Sequence, residues 1–322
     1  MSHLQPATDA WRPSASLDML QQRARCMAVI RQFFTTKGYL EVETPVMAQF
    51  GITDVYLSNI QAHFRGQAYA LQTSPEYHMK RLLAAGSGPI FQLARVFRDD
   101  ELGRWHNPEF TLLEWYQLQV DHHALLDEVD ELLQIVLACA PLIKRSYHDV
   151  FSSICDIHPL QTTWQELKAC VKRYGLGDVL DPNEQDLDQY LFLLMSHVVE
   201  PALAAEQSPV AVVDFPVSQA SLARIEQGCA ARFEIYYKGV ELANGFYELT
   251  DAHLQRERFI RDNHIRAAQG KPEAAMDTYL LQALTHGLPT CSGVALGVDR
   301  LLALACQQSN LSGCLAFDFS RA

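Results

Sequence analysis

The spacing of hydrophobic residues along this chain changes period several times, and each change marks an element. After Ser16, the residues Met19, Leu20, Met27, Ile30 and Phe34 recur near helical spacing. This predicts a helix capped by Ser16, running to about Lys37 and stopped by Gly38. "YLEVETPVM" reads as a strand, and Pro45, which lacks an amide hydrogen, confines it to an edge or an interface. "AYALQTSPEYHMKRLLAAG" reads as a strand feeding a helix, with Ser74 as N-cap, Pro75 at the first helical position and Gly86 as the stop. "PIFQLARVFR" and "EFTLLEWYQLQV" are two strands around a polar stretch, which predicts an antiparallel hairpin with a long tip.

Residues 121–205 read as mostly helical, with polar breaks near Pro141, Pro159 and Pro182 and no chemistry that can be named. Strand patterns resume at "PVAVVDFP", "RFEIYYKGVELANGFYEL" and "SGVALGVDRLLALA". Between them, "DAHLQRERFIRDNHIRAAQG" has the charge pattern of a helix with a solvated face. Residues 1–15 are expected to form a loose N-terminal arm. The whole is predicted to be an α+β domain over residues 16–322, an antiparallel sheet flanked by helices, with 121–205 as a helical region within it.

Composition narrows the functional classes. Of 322 residues, 48% are hydrophobic, enough for a large core. A net charge of -12, from 26 basic and 38 acidic residues, argues against nucleic-acid binding through overall charge. The eight cysteines are scattered and form no CxxC pair, so a zinc ribbon or redox motif is not expected and a reducing cytoplasm is. No signal peptide opens the chain and no apolar run is long enough to span a membrane. GxGxxG, Walker, GxSxG and HExxH motifs are absent, and the histidines lack metal spacing.

Strand alternation gives the candidate chemistry. Phe110, Leu112, Glu114 and Tyr116 share a face if their strand is regular, and so do Leu242, Asn244, Phe246 and Glu248. A ring, a carboxylate and a phenol on one face can stack a flat base and hold an ammonium; the same pattern also suits a core strand with an acid at its edge. Gly245 marks a close backbone approach, by a ligand among other things. Glu234 and Glu241, seven apart on one hairpin, suit either a hard divalent cation such as Mg²⁺ or two exposed acids. Glu76 in a first helical turn is favoured by the helix dipole in any protein. Arg98 and Arg300 are the phosphate-binding candidates, because a guanidinium grips phosphate oxygens bidentately, although Arg300 could equally pair with its neighbour Asp299.

Taken in order, these pieces resemble the catalytic domain of the class II aminoacyl-tRNA synthetases, in the lysyl branch. "GYLEVETPVM" resembles the first class motif, at the dimer interface, "FRDDELGRWHNPEFTLLEWY" the second, "GVALGVDR" the third, and "ELANGFYEL" the lysine-pocket strand. The resemblance runs from about residue 16 to the end. The first motif begins too early to leave room for the anticodon-binding domain of lysyl-tRNA synthetases, so no tRNA anticodon contact is expected. The chain is most similar to a short bacterial family that joins (R)-β-lysine to a lysine side chain of elongation factor P through an adenylate.

That resemblance implies ATP as co-substrate, Mg²⁺, a homodimer and a protein acceptor. It implies that Arg98 contacts the α-phosphate and that Asp99, Asp100 and Asn107 lie by the nucleotide. Phe110 would stack on adenine, with Arg300 over its other face and Gly297 and Leu242 beside it. Glu234 and Glu241 would hold the metal, Glu241 also lying in the nucleotide site. Ser74, Pro75, Glu76, Glu114, Tyr116, Asn244, Phe246, Glu248 and Ala295 would line the amino-acid pocket. Two positions depart from the synthetase pattern. Asp99-Asp100 replaces the usual Asn-Glu, so a bridging water becomes an option at adenine. Ala295 stands where the synthetases usually have glycine, and its methyl group would reshape the pocket against α-lysine.

Overall fold

The computed structural model describes residues 11–99 and 101–322; residues 1–10 of the expected arm and Asp100 lie outside the described residues. Helix α1 (Leu17–Thr36) begins at Ser16, whose Oγ accepts from Met19 N at 3.2 Å. The short strands β1 (Leu40–Glu41), β2 (Met47–Ala48), β3 (Gln61–Phe64) and β4 (Gln67–Leu71) follow. Helix α2 (Glu76–Ala84) then leads into the long hairpin of β5 (Ile90–Phe97) and β6 (Glu109–Leu118). Next come α3 (His122–Leu137), β7 (Ile143–Ser146), α4 (Tyr147–Cys155), α5 (Trp164–Arg173) and α6 (Leu187–Leu194). After a π-helical turn, α7 (Glu200–Leu203) precedes β8 (Val210–Phe215), β9 (Ile225–Glu226), β10 (Cys229–Tyr237) and β11 (Val240–Tyr247). Helices α8 (Ala252–Ala268) and α9 (Thr278–Gly287), strand β12 (Cys291–Gly297) and helix α10 (Val298–Ala305) complete the order.

The main sheet runs β1-β5-β6-β12-β11-β10-β8-β7, with β9 on β10; a small second sheet runs β2-β4-β3. Its inner ladders are antiparallel, and only the β1–β5 and β7–β8 pairs are parallel. This matches the predicted architecture. One face of the sheet is closed. Leu113, Trp115, Phe233, Ile235, Ala243, Val294 and Leu296 pack there against residues of α1, α3 and α10 such as Phe34, Val129 and Leu301. Phe34 stacks on Phe91 (centroids 4.7 Å apart) and meets Trp115 edge-on (5.1 Å). The other face is therefore the one left to build a site.

Several expectations change. "YLEVETPVM" forms two short strands in different sheets, with Pro45 between them, because proline cannot continue a ladder. Pro75 caps α2 rather than opening it, and Ser74 Oγ accepts from Glu76 N at 3.1 Å. The arm is packed from Ser14, whose amide donates to Ala316 O at 2.8 Å, and Ala15 is buried. Region 121–205 is not helical throughout: β7 extends the main sheet, and α4 to α7 pack with β8 and β10. Helix α8 is not simply a solvated face. Its Gln255 and Phe259 are buried, and Asp262 accepts from Thr53 Oγ1 at 2.9 Å.

Gly245 sits opposite Phe233 in the ladder, and the close approach there is that of the Phe233 ring. A Cβ there would lie 2.3 Å from Phe233 Cζ and 2.9 Å from Gly293 O. Because that ring is locked in the core, Gly245→Ala is expected to destabilise the fold by about 1–3 kcal/mol, read from urea unfolding midpoints.

Candidate active site

Register builds the site. Across the open face, residues paired in successive ladders form lateral rows. One row runs Glu114–Ala295–Asn244–Glu234 over β6, β12, β11 and β10. The next runs Tyr116–Gly293–Phe246–Arg232 over the same strands. A β-bulge completes the arrangement. Ile235 pairs with Ala243 and Tyr236 with Glu241, which leaves Leu242 unpaired. Without that extra residue Glu241 would point away from Asn244; with it, Glu241 joins the face of Glu234. Leu242 thus leaves the regular alternation that was expected of it and packs in the central core, while still bordering the cleft.

These rows floor a cleft of about 750 Å³. It is walled by Arg98, Phe110 and Arg300 at one end and by Ser74, Glu76 and Phe246 at the other, with Arg261 and Asp262 of α8 along its side. Glu114, Tyr116 and Glu248 lie buried behind the second end. There Ser74 Oγ donates to Glu114 Oε2 (2.6 Å) and Tyr116 OH to Glu114 Oε1 (2.7 Å). Gly293 is required beside them, because a Cβ would lie 2.3 Å from the Tyr116 ring and 2.6 Å from Glu248 Oε1.

Sequence reasoning missed the partner that holds this end together. Lys80, one turn into α2 from Glu76, is buried, with Nζ 2.7 Å from Glu76 and 2.6 Å from Glu248. Helical spacing alone links Glu76 to Lys80; only the fold adds Glu248. Burial would push the Lys80 ammonium down, but Glu248 and Glu76 outweigh it and hold it above the ordinary lysine range. Burial, with Glu76 adding to it, raises Glu114 to about 8 against the hydrogen bonds from Ser74 and Tyr116. Burial likewise raises Glu248 to about 8, although Lys80 opposes it. Three carboxylates thus face one ammonium, and the pocket is short of positive charge.

The other end is cationic. Arg98 lies over the Phe110 ring (5.1 Å) and 3.5 Å from Glu101, and its buried Nε has no hydrogen-bond acceptor among the described residues. Glu101 thus sits on a candidate site residue, whereas Arg95 and Glu109 pair with each other (2.7 Å). Arg300 does not pair with Asp299. It donates to Trp105 O (3.1 Å), to Glu241 O (2.8 Å) and to His106 Nε2 (2.7 Å). Burial and the Arg300 charge lower His106, which keeps that ring neutral and able to accept. Asp299 is instead held by Arg23 of α1 and accepts from Thr111 N (2.7 Å). Asn107 is engaged by backbone, donating to Glu109 O (2.6 Å) and accepting from Phe319 N (3.2 Å). Asp99 is exposed and its amide donates to Ser58 O (3.0 Å).

Glu234 receives hydrogen bonds from Arg232 and from Tyr236 OH, neither partner having been foreseen. Glu200 of α7 feels the same charges. Burial raises it to about 8, with Glu241 and Glu234 adding to the effect and Arg300 opposing it. Burial raises Glu234, Arg232 opposes it and Glu241 adds to it; a like charge of this kind is what a hard divalent cation relieves.

The cleft is thus cationic at one end and acidic at the other, on one face of an antiparallel sheet. Residues 5–321 match the model of the tRNA synthetases class II (D, K and N), and the chain belongs to that family. It is 51% identical over 323 residues to the elongation factor P–(R)-β-lysine ligase of Erwinia tasmaniensis, covering 98% of this chain and 99% of that protein. It is 50% identical over 324 residues to the ligase of the same name from Salmonella gallinarum, with 98% and 99% covered. It is also 51% identical over 322 residues to that from Edwardsiella ictaluri, with 97% and 98% covered.

Two outcomes follow from the charge balance. Lys80→Met keeps the bulk but strands the buried carboxylate of Glu248, and is expected to cost about 3–5 kcal/mol in urea unfolding. Glu114, raised in the fold from 4.5 to about 8, contributes stability that is complete below its ordinary value and lost as pH rises through about 8. The unfolding midpoint of the amino-acid-free protein should therefore fall between about pH 5 and about pH 8, and Glu114→Gln should flatten that fall.

Proposed function

We propose that this chain activates (R)-β-lysine with ATP and transfers the β-lysyl group to a lysine side chain of elongation factor P. The observation that carries this reading is the trio of Glu76, Glu114 and Glu248, the last two buried, set against the single ammonium of Lys80. A substrate with two ammonium groups supplies the missing charge, and each is costly to desolvate unless matched. The names of the ligases that resemble this chain over almost its whole length support the same reading.

In this mechanism the β-lysine carboxylate attacks the α-phosphorus of ATP in line. The bond to the bridging oxygen breaks and pyrophosphate leaves. The neutral amine of the acceptor lysine then attacks the acyl carbon. The acyl–oxygen bond to AMP breaks, and a proton is lost as the amide forms. No protein nucleophile is needed. Arg98, with its unpaired Nε, takes the α-phosphate, and Arg300 turns from Glu241 and His106 to the far phosphates. Phe110 stacks on the adenine. Glu234 and Glu241 would hold Mg²⁺, which when bound neutralises phosphate charge. Asn107 shapes the loop by its backbone bonds, and Ala295, between Glu114 and Asn244, narrows the floor.

A homodimer and a cytoplasmic setting belong to this reading. Leu40, Val46 and Met47 are exposed at the edge marked by Pro45, as a partner surface requires. All eight cysteines are unpaired, and among the described residues no helix is long and apolar enough to cross a membrane.

ATP–pyrophosphate exchange tests activation and is expected to be faster with (R)-β-lysine than with α-lysine. Arg300→Ala should lower it by about 100-fold or more while the circular dichroism spectrum is retained. Elongation factor P, and not tRNA, should become labelled. Exchange with no amino acid, or labelling of tRNA alone, would overturn the proposal.

A further inference from the structure

On the closed side of the sheet, away from the cleft, three side chains converge that the mechanism does not use. His122 and His123 open α3, and Asp214 lies near the end of β8. One donor atom from each lies within 4.8 Å of the others. His122 Nε2 is 3.8 Å from Asp214 Oδ1, too far for a hydrogen bond, and the two imidazole centroids are 4.1 Å apart. His122 is 3% exposed, and neither of its ring nitrogens has a hydrogen-bond partner among the described residues. An imidazole always offers polar atoms at both nitrogens, so leaving both buried and unpaired is unfavourable unless something binds there.

Backbone geometry brings the carboxylate to this spot. Along β8, Val210 and Val212 pack with α4 to α7, while Ala211 and Val213 pack in the central core beneath α3. Regular alternation would send Asp214 to the side of Val212. Its φ of 60° breaks the alternation, opposite the register shift of β10 between Ala230 and Phe233. Aspartate tolerates this left-handed conformation better than most residues. The neighbouring cation is already matched, since Lys144 donates to Asp127 (2.6 Å) and to His123 O (3.0 Å).

We infer that His122, His123 and Asp214 form a binding site for a late first-row divalent metal ion, with Zn²⁺ as the expected occupant, fastening the start of α3 to β8. Two imidazoles and one carboxylate suit such ions, whereas Mg²⁺ prefers oxygen donors. His123 is exposed and Asp214 half-exposed, so an ion can reach the site and keep water on its remaining positions.

The test uses the untagged, chelator-stripped full chain in saturating Mg²⁺, so that oxygen-only sites are filled. Co²⁺ is titrated by its visible d–d absorption, and Zn²⁺ by calorimetry. One equivalent is expected to bind in the micromolar range, and His123→Ala and Asp214→Asn should each weaken binding by about tenfold or more. Zn²⁺ should raise the Tm of the parent protein and not that of either variant. Absence of binding below about 100 μM, or unchanged affinity in both variants, would overturn the inference. Neither substitution touches the cleft, so the outcome is independent of the exchange assay.

Discussion

A slip of one residue in any ladder between β6, β12, β11 and β10 would turn Glu114, Ala295, Asn244 or Glu234 to the far side of the sheet. The closed face prevents this. Trp115, Phe233, Val294 and Ala243 alternate with those residues and are fixed against α1, α3 and α10. The hydrophobic pattern that buries one face thereby aligns the polar rows on the other. Where regular register would fail the site, the chain departs from it: the bulge at Leu242 moves Glu241 onto the working face.

Charge is arranged along the cleft rather than across it. The amino-acid end holds more carboxylate than ammonium, and the other end presents Arg98 and Arg300 beside their own acidic neighbours. Each arginine is lightly engaged, Arg98 with Glu101 and Arg300 with backbone carbonyls, Glu241 and a neutral His106. Such contacts orient a guanidinium without neutralising it fully. Arg23 serves the same geometry at a distance, joining Asp299 of α10 to Thr111 of β6.

The outer helices have more to do than their sequences suggest. Helix α8 carries polar residues on two sides because one of them borders a polar cleft, so its periodicity resembles that of a surface helix. Strand β7, at the far edge of the sheet, ties α3 to the same framework through its parallel ladder with β8.

The sequence alone determined the local elements and which residue types would carry the chemistry. Capping at Ser16, the β5–β6 hairpin and the shared face of Phe110, Glu114 and Tyr116 are all short-range consequences of period, caps and turns. Ordered motifs identified the family for the same reason: they are contiguous. What tertiary structure decided are pairings between residues distant in the chain. Lys80 with Glu248, Arg232 with Asn244, Asp299 with Arg23, and His122 with Asp214 have no sequence spacing to betray them. Nor does the bulge at Leu242, because a strand's register is fixed by the partner against which it is laid.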